Sequence, residues 1–317
     1  MRPTGKLHLG NYVGALENWV KLQGEYENFH LVADWHLLTT DLDTSTIKTD
    51  TIDMVIDWLC AGIDPEKSPI FVQSTIKDHA ELFLIFSMLV SVPRLERNPT
   101  VKEQAKDLGL ENNIAFGHLG YPVLQAADIL IYQAHLVPVG EDQLPHIELT
   151  REIARRFNKT YGDVFIIPSG RVTEFSRLPG LDGKKMSKSL GNTILLSDSP
   201  EEIQQKVKLA ITDPQKIHLG DPGRPEICNV FIYHRKFNPA ELAEIENDCK
   251  SGALGCVACK KNLVEKLAAY LAPFREKRSY YEQHVDEIND IIAHGNSIAQ
   301  KVAAETMDKV HNVMKLG

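Results

Sequence analysis

The chain has 317 residues, 43% hydrophobic and 25% charged, and carries a formal net charge of −8. That composition belongs to a globular protein large enough for one large or two medium domains. It excludes a non-specific nucleic-acid coat, which would be basic overall, and no apolar run reaches the roughly eighteen residues of a membrane span.

The chain opens on a Pro/Gly turn, "RPTGKLHLGNYVGAL", which feeds a helix starting near Gly10. No apolar signal segment lies between Arg2 and Asn11, so a cytoplasmic location with reduced thiols is expected. "NFHLVADWH" reads as a β-rich stretch, and "STIKTDTIDMVIDWLCAGIDP" as a helix with a Gly/Asp/Pro stop. "PIFVQS" is a short buried strand, "HAELFLIFSMLVSV" and "YPVLQAADILIYQA" are helices, and "HLVPVG" is a strand. The helix "PHIELTREIARRFN" and the strand "VFIIPS" follow. This β-α alternation predicts an α/β fold built on a Rossmann-like, doubly wound parallel sheet, with ligand loops at the strand C-termini. Beyond about Ser197 the pattern becomes helical, beginning with Ser199 as an N-cap over Glu201 and Glu202. A boundary near residue 195 is expected, with a catalytic half at 1–195 and an all-α half at 196–317. Basic groups cluster at Arg151, Arg155, Arg156 and Lys159, at Lys260, Lys261 and Lys266, and at Arg275, Lys277 and Arg278. Each is by default a solvated helix face.

Two motifs carry chemistry. In the first, His8 and Asn11 stand at a helix mouth, where backbone N–H groups and the macrodipole favour an anion, and Gly10 allows a flat ring close to the backbone. In the second, "DGKKMSKSLGN", Lys184, Lys185 and Lys188 lie on a Gly-flanked loop with two serines. Such a loop suits a triphosphate whose charge builds on the leaving group.

The pair resembles the signatures of class I aminoacyl-tRNA synthetases. The first is similar to their His-x-Gly-His motif, with Asn11 in the last position. The second matches Lys-Met-Ser-Lys-Ser at Lys185, Met186, Ser187, Lys188 and Ser189. "AADILIY", "VPVGEDQ" and "HIELTREIARRFN" are similar to the tryptophan branch, and the likeness covers essentially the whole chain. It implies activation of L-tryptophan by ATP and Mg²⁺, transfer to tRNA(Trp), and a homodimer. It implies catalytic roles for His8, Asn11, Lys185 and Lys188. ATP would also meet Thr4, Gly5, Gly10, Gly140, Asp142, Met186, Ser187 and Ser189. His36, Tyr121, Gln125, Asp128, Val137, Val139 and Gln143 would line the amino-acid pocket, Gln143 reaching the carboxylate or adenylate and Asp142 the ribose.

Asp128 is also legible without the likeness. An indole offers one polar atom, an N–H that only donates, so a selective pocket needs a buried acceptor in an apolar wall. Asp128 is a lone carboxylate on an otherwise apolar helix; its plain alternative is a solvent-facing aspartate. Two departures from the branch stand out. Its members carry a strand ahead of the Pro-Thr-Gly turn, whereas this sequence opens at Met1-Arg2-Pro3, which implies a late start or a shortened, weaker protein. A triphosphate-binding lysine is replaced by Gln104, leaving the task to Lys102 or Lys106. A tyrosyl enzyme would need a second polar partner for the phenol, and a small nucleotidyltransferase would lack the helical half. A regulatory paralogue would be expected to lose the Lys185–Ser189 motif.

Four of the five cysteines fall in C-x20-C-x6-C-x2-C spacing, at Cys228, Cys249, Cys256 and Cys259. Four thiolates suit structural zinc or a four-iron, four-sulfur cluster, and the spacing does not choose. A subset of the tryptophan branch has a similar pattern that holds such a cluster, which the resemblance favours here. Cys60 ends an apolar helix and reads as core.

Overall fold

A computed structural model describes residues 1–107, 109, 113–172 and 178–316. The first motif folds as α1 (Leu9–Asn11), a π-turn at Tyr12–Leu16 and α2 (Glu17–Leu22) in one continuous rod. The β-rich stretch supplies only three residues of strand, β1 (His30–Val32), before α3 (Asp34–Leu38) takes over. The helix α4 (Ile47–Ala61) stops at Gly62, whose φ of +110° suits a glycine far better than any residue with a side chain. β2 (Ile70–Val72), α5 (Asp78–Ser87), α6 (Val92–Glu96) and α7 (Pro99–Asp107) follow. α8 (Phe116–Leu130) then leads through β3 (Leu136–Val139) to α9 (Leu144–Tyr161) and β4 (Ser169–Val172).

The protein has the α/β architecture that the alternation predicts, but among the described residues its strands form two separate parallel pairs. β1 pairs with β2, His30 opposite Ile70, and β3 pairs with β4, Leu136 opposite Ser169. Between their facing edges runs a cavity of about 880 Å³. At its floor the Met1 amino group donates to the Leu31 carbonyl at 2.6 Å, and the Ala33 N–H donates to the Met1 carbonyl at 2.8 Å. The strand expected at "VFIIPS" begins only at Ser169. Upstream, the Val164 and Phe165 N–H groups both donate to the Asn158 side chain, and that of Ile166 to the Gln133 side chain. Side-chain acceptors have replaced a strand ladder there.

The helical remainder comprises α10 (Pro200–Lys208), α11 (Asn229–Phe237), α12 (Leu242–Ser251), α13 (Cys256–Gln283) and α14 (Val285–Met314). Ser199 caps α10 as expected, accepting from the Glu202 N–H while Glu202 accepts in return. Both apolar cores mix residues from either side of position 195. One joins Leu7, Leu9, Val55 and Trp58 to Phe231, Leu263 and Ile288; the other joins Phe71, Phe86 and Phe157 to Ala299, Ala303 and Met307. α14 crosses β2 closely because of Gly295. A Cβ there would lie 2.0 Å from the Ile70 carbonyl oxygen. One residue on, Asn296 accepts the Val72 N–H at 2.9 Å.

Gly295→Ala therefore forces a backbone apart rather than a flexible side chain, and should cost about 1–3 kcal/mol or more. Gly117→Ala, where an added methyl meets open space, should be neutral or stabilising by up to about 1 kcal/mol. Urea midpoints of the two variants check the contrast.

Candidate active site

The two motifs meet. Leu9 N–H donates to the Ile194 carbonyl and Leu196 N–H to that of Leu7, both at 2.9 Å, so the chain leaving the lysine loop runs against the first turn. The Gly10 N–H points at the Met186 sulfur at 3.2 Å. Lys188 Nζ donates to the Thr4 carbonyl. Gly5 has a φ of +77°, and a Cβ on it would lie 2.8 Å from the Asp50 carboxylate. The lysine loop is shaped by Asn192, which accepts the Ser187 N–H at 2.8 Å and donates to Asp182 and to the Lys185 carbonyl. Lys185 is exposed, and Ser187 and Ser189 share a hydrogen bond.

His8 and Asn11 form a reciprocal cap. The Asn11 N–H donates to His8 Nδ1 at 3.2 Å, and the His8 N–H donates to Asn11 Oδ1 at 3.1 Å. With Nδ1 accepting, the imidazole proton belongs on Nε2. Burial, and then the Lys188 charge, push the His8 pKa down to about 4, so the ring is neutral at pH 7. The helix mouth differs from expectation in one respect. The N–H groups of residues 9–12 are already engaged, by Ile194, Met186, and His8. Only the thioether on Gly10 is a weak acceptor that a phosphate oxygen would readily displace.

The seven residues expected around an amino acid, His36, Tyr121, Gln125, Asp128, Val137, Val139 and Gln143, all line the 880 Å³ cavity. Asp128 faces the cavity, its side chain only 8% exposed, and it is not lone. Its oxygens are within hydrogen-bond distance of His36, Gln73 and His79. Burial opposes its ionisation, but the bonds from His36 and His79 outweigh it and hold the carboxyl below its ordinary range. The Tyr121 hydroxyl meets His146 Nε2 at 2.8 Å, and His146 Nδ1 meets Asn98 at 3.1 Å. Gly140 and Asp142 lie on the loop after β3. A Cβ on Gly140 would meet the Asp142 carboxylate at 2.7 Å, and Gln143 donates to the same group at 3.0 Å. Lys102 and Lys106 are exposed on α7; the side chain of Gln104 lies outside the described residues. Sequence reasoning missed Gln73, His79 and His146, since a histidine or glutamine between apolar neighbours gives no local sign of its partner.

The basic groups behave unequally. Arg151 and Arg155 pair with Glu148, and Lys266 with Glu241. Arg278 is not on a solvated face: it is buried against Asp57, Asp53 and Glu282. The four spaced cysteines gather in one lobe, and Cys259 lies within electrostatic reach of the other three. Among the described residues, no group of three or more His, Cys, Asp or Glu is placed to hold a metal ion. Cys60 is core, its thiol pushed up to about 12 by burial.

Residues 1–272 match the family model for tRNA synthetases class I (W and Y). The chain is 52% identical to tryptophan–tRNA ligase of Thermotoga maritima and 43% identical to that of Aquifex aeolicus, each match covering 100% of this chain and 98% of the relative. The crystal structure of tryptophanyl-tRNA synthetase from Campylobacter jejuni complexed with ADP and tryptophan superposes with a TM-score of 0.89. It is 34% identical, over 100% of this chain and 98% of that one.

Behind the first motif, Asp57 Oδ2 accepts the Leu7 N–H at 2.5 Å and Oδ1 accepts from Arg278. Arg278→Met would leave a fully buried carboxylate without its counter-charge, which should cost about 3–5 kcal/mol. Asp57→Asn in that background should recover part of the loss; chemical denaturation of the single and double variants measures it.

Proposed function

Because the chain belongs to the class I tRNA synthetases of the tryptophan and tyrosine family, we propose that the cavity takes L-tryptophan and that the joined motifs take ATP. The enzyme is a tryptophan–tRNA ligase. It activates tryptophan with ATP, as the magnesium complex, and transfers the product to tRNA(Trp). The tryptophan carboxylate attacks the α-phosphorus, the bond to the bridging oxygen breaks, and pyrophosphate leaves. A ribose hydroxyl of the tRNA terminus then attacks the activated carbonyl, and AMP leaves. Neither step needs a strong acid or base, so positioning and charge stabilisation carry the rate.

In this reading His8 donates from Nε2 to a phosphate oxygen as a neutral group, and Asn11 donates from its amide nitrogen while its oxygen stays on the His8 N–H. Lys188 moves from the Thr4 carbonyl to the departing pyrophosphate, joined by Lys185, Ser187 and Ser189. Thr4, Gly5, Gly10 and Met186 border the nucleotide, with Gly140 and Asp142 on its ribose side. Asp128 accepts the indole N–H; Tyr121, Gln125, Val137 and Val139 wall the ring; Gln143 meets the carboxylate. The observation that carries the reading is the convergence of all seven predicted residues on one cavity. Asp128→Ala should cut tryptophan-dependent ATP–pyrophosphate exchange by about 10⁴-fold while ATP binding persists. Unchanged exchange kinetics would sink the assignment.

Residues 1–195 serve activation and 196–317 serve tRNA reading in this scheme. A homodimer is supported by the apolar side chains Leu84, Met88, Val92 and Phe116, which stay exposed around α5, α6 and α8. Five unpaired cysteines agree with a reducing, cytoplasmic setting.

We propose, from the likeness of the cysteine spacing to a subset of the tryptophan branch, that Cys228, Cys249, Cys256 and Cys259 take a four-iron, four-sulfur cluster; four thiolates also suit structural zinc. The four lie in one lobe, though among the described residues no group of three or more His, Cys, Asp or Glu is already placed to hold a metal ion. Gly223 lets the backbone come close to them, since a Cβ there would lie 2.6 Å from the Cys249 sulfur. When bound, the cluster would tie the N-terminal ends of α11 and α13 to the C-terminal end of α12, beside the exposed Lys261. Cys259→Ser should then reduce tRNA charging more than adenylate formation, and protein purified without oxygen should be brown. A colourless anaerobic preparation with stoichiometric zinc and no iron refutes the cluster.

A further inference from the structure

A carboxylate has about four lone-pair positions. In Asp128 all four are taken. Oδ1 accepts from His79 Nδ1 at 2.7 Å and Gln73 Nε2 at 2.8 Å; Oδ2 accepts from His36 Nε2 and Gln73 Nε2, each at 2.9 Å. An indole N–H that needs this acceptor must therefore replace a donor already present. The three donors are not equivalent. Gln73 and His79 are fully buried, and neither borders the cavity; His36 does.

His79 is fixed from both sides. Its Nε2 stands 2.8 Å from the Tyr132 hydroxyl, and its ring stacks on Phe71. Burial, and then the Asp128 charge, raise the Tyr132 pKa well above its ordinary value, so the phenol keeps its proton and can donate it to Nε2. That places the imidazole proton on Nδ1, facing Asp128. Tyr132 thus selects the tautomer that supports the carboxylate.

We propose that Gln73, His79 and Tyr132 are positioning residues that hold Asp128 in a fixed orientation, and that His36 is an exchangeable donor whose bond gives way to the indole N–H. The proposal rests on the reading that Asp128 takes the indole. Its consequence is selectivity. A ligand that displaces His36 but cannot donate leaves a buried carboxylate one partner short, which is costly.

The test is pyrophosphate exchange with tryptophan and with its benzothiophene isostere, in which sulfur replaces the indole N–H. His79→Leu should raise the KM for tryptophan about 10- to 100-fold, leave the KM for ATP in place, and narrow the preference over the isostere. His79→Asn, whose amide can donate near the Nδ1 position, should restore most of the preference. Tyr132→Phe should shift it in the same direction as His79→Leu. A folded Tyr132→Phe or His79→Leu protein with undiminished preference overturns the positioning role. Asp128→Leu, which has no acceptor, separates the two claims: if it keeps the preference, the indole assignment itself falls. If Asp128→Leu abolishes it while the His79 variants do not, only this inference falls. With ¹⁵N-labelled histidine, tryptophan should shift the His36 Nε2 resonance, assigned by His36→Phe, and leave both His79 nitrogens unmoved. A stationary His36 overturns the exchange.

Discussion

A buried carboxylate on α4 holds the molecule together at its functional centre. Asp57 accepts the Leu7 N–H directly before His8, and it pairs with Arg278 from α13. Burial raises its pKa to about 6 against the pull of Arg278, so it is largely ionised at neutral pH. A buried pair of this kind adds little net stability, because desolvation offsets the attraction. It does impose geometry. The turn that presents His8, the helix that carries Asp57 and the long helix of the C-terminal half have few other arrangements that satisfy all three groups. The same α13 begins at Cys256 in the cysteine lobe, so one helix links that lobe to the turn that carries His8.

The two halves of the site use opposite kinds of contact. The side proposed for ATP is held by exchangeable ones. A thioether accepts the Gly10 N–H, and Lys188 rests on a backbone carbonyl on an exposed loop. Such contacts cost little to replace when phosphate oxygens arrive. The side proposed for tryptophan is built of polar groups paired around Asp128 in an apolar wall, where a missing partner is expensive; there, among the described residues, Gln73 Oε1 has no partner. Loose contacts suit a ligand whose charge redistributes during reaction. Rigid ones suit the discrimination of one side chain from another.

The helices and the chemistry were legible along the chain because they are written locally. Apolar spacing marked α4, α5, α8 and α9; Ser199 with Glu202 marked the start of α10; paired lysine and glycine-turn motifs marked the end of the site proposed for the nucleotide. The cysteine spacing and the odd carboxylate at Asp128 were equally plain. Tertiary structure alone decided the rest. It split the parallel strands into two pairs around a cavity, and gave the backbone of residues 164–166 to Asn158 and Gln133 instead of a ladder. It buried Arg278, which local pattern places on a solvated face, and surrounded Asp128 with donors from α3, from the turn after β2 and from α5. The physical reason is range. A helix period or a cap involves residues three or four apart, whereas a buried charge is defined by partners from anywhere in the chain: Arg278 is 221 residues from Asp57.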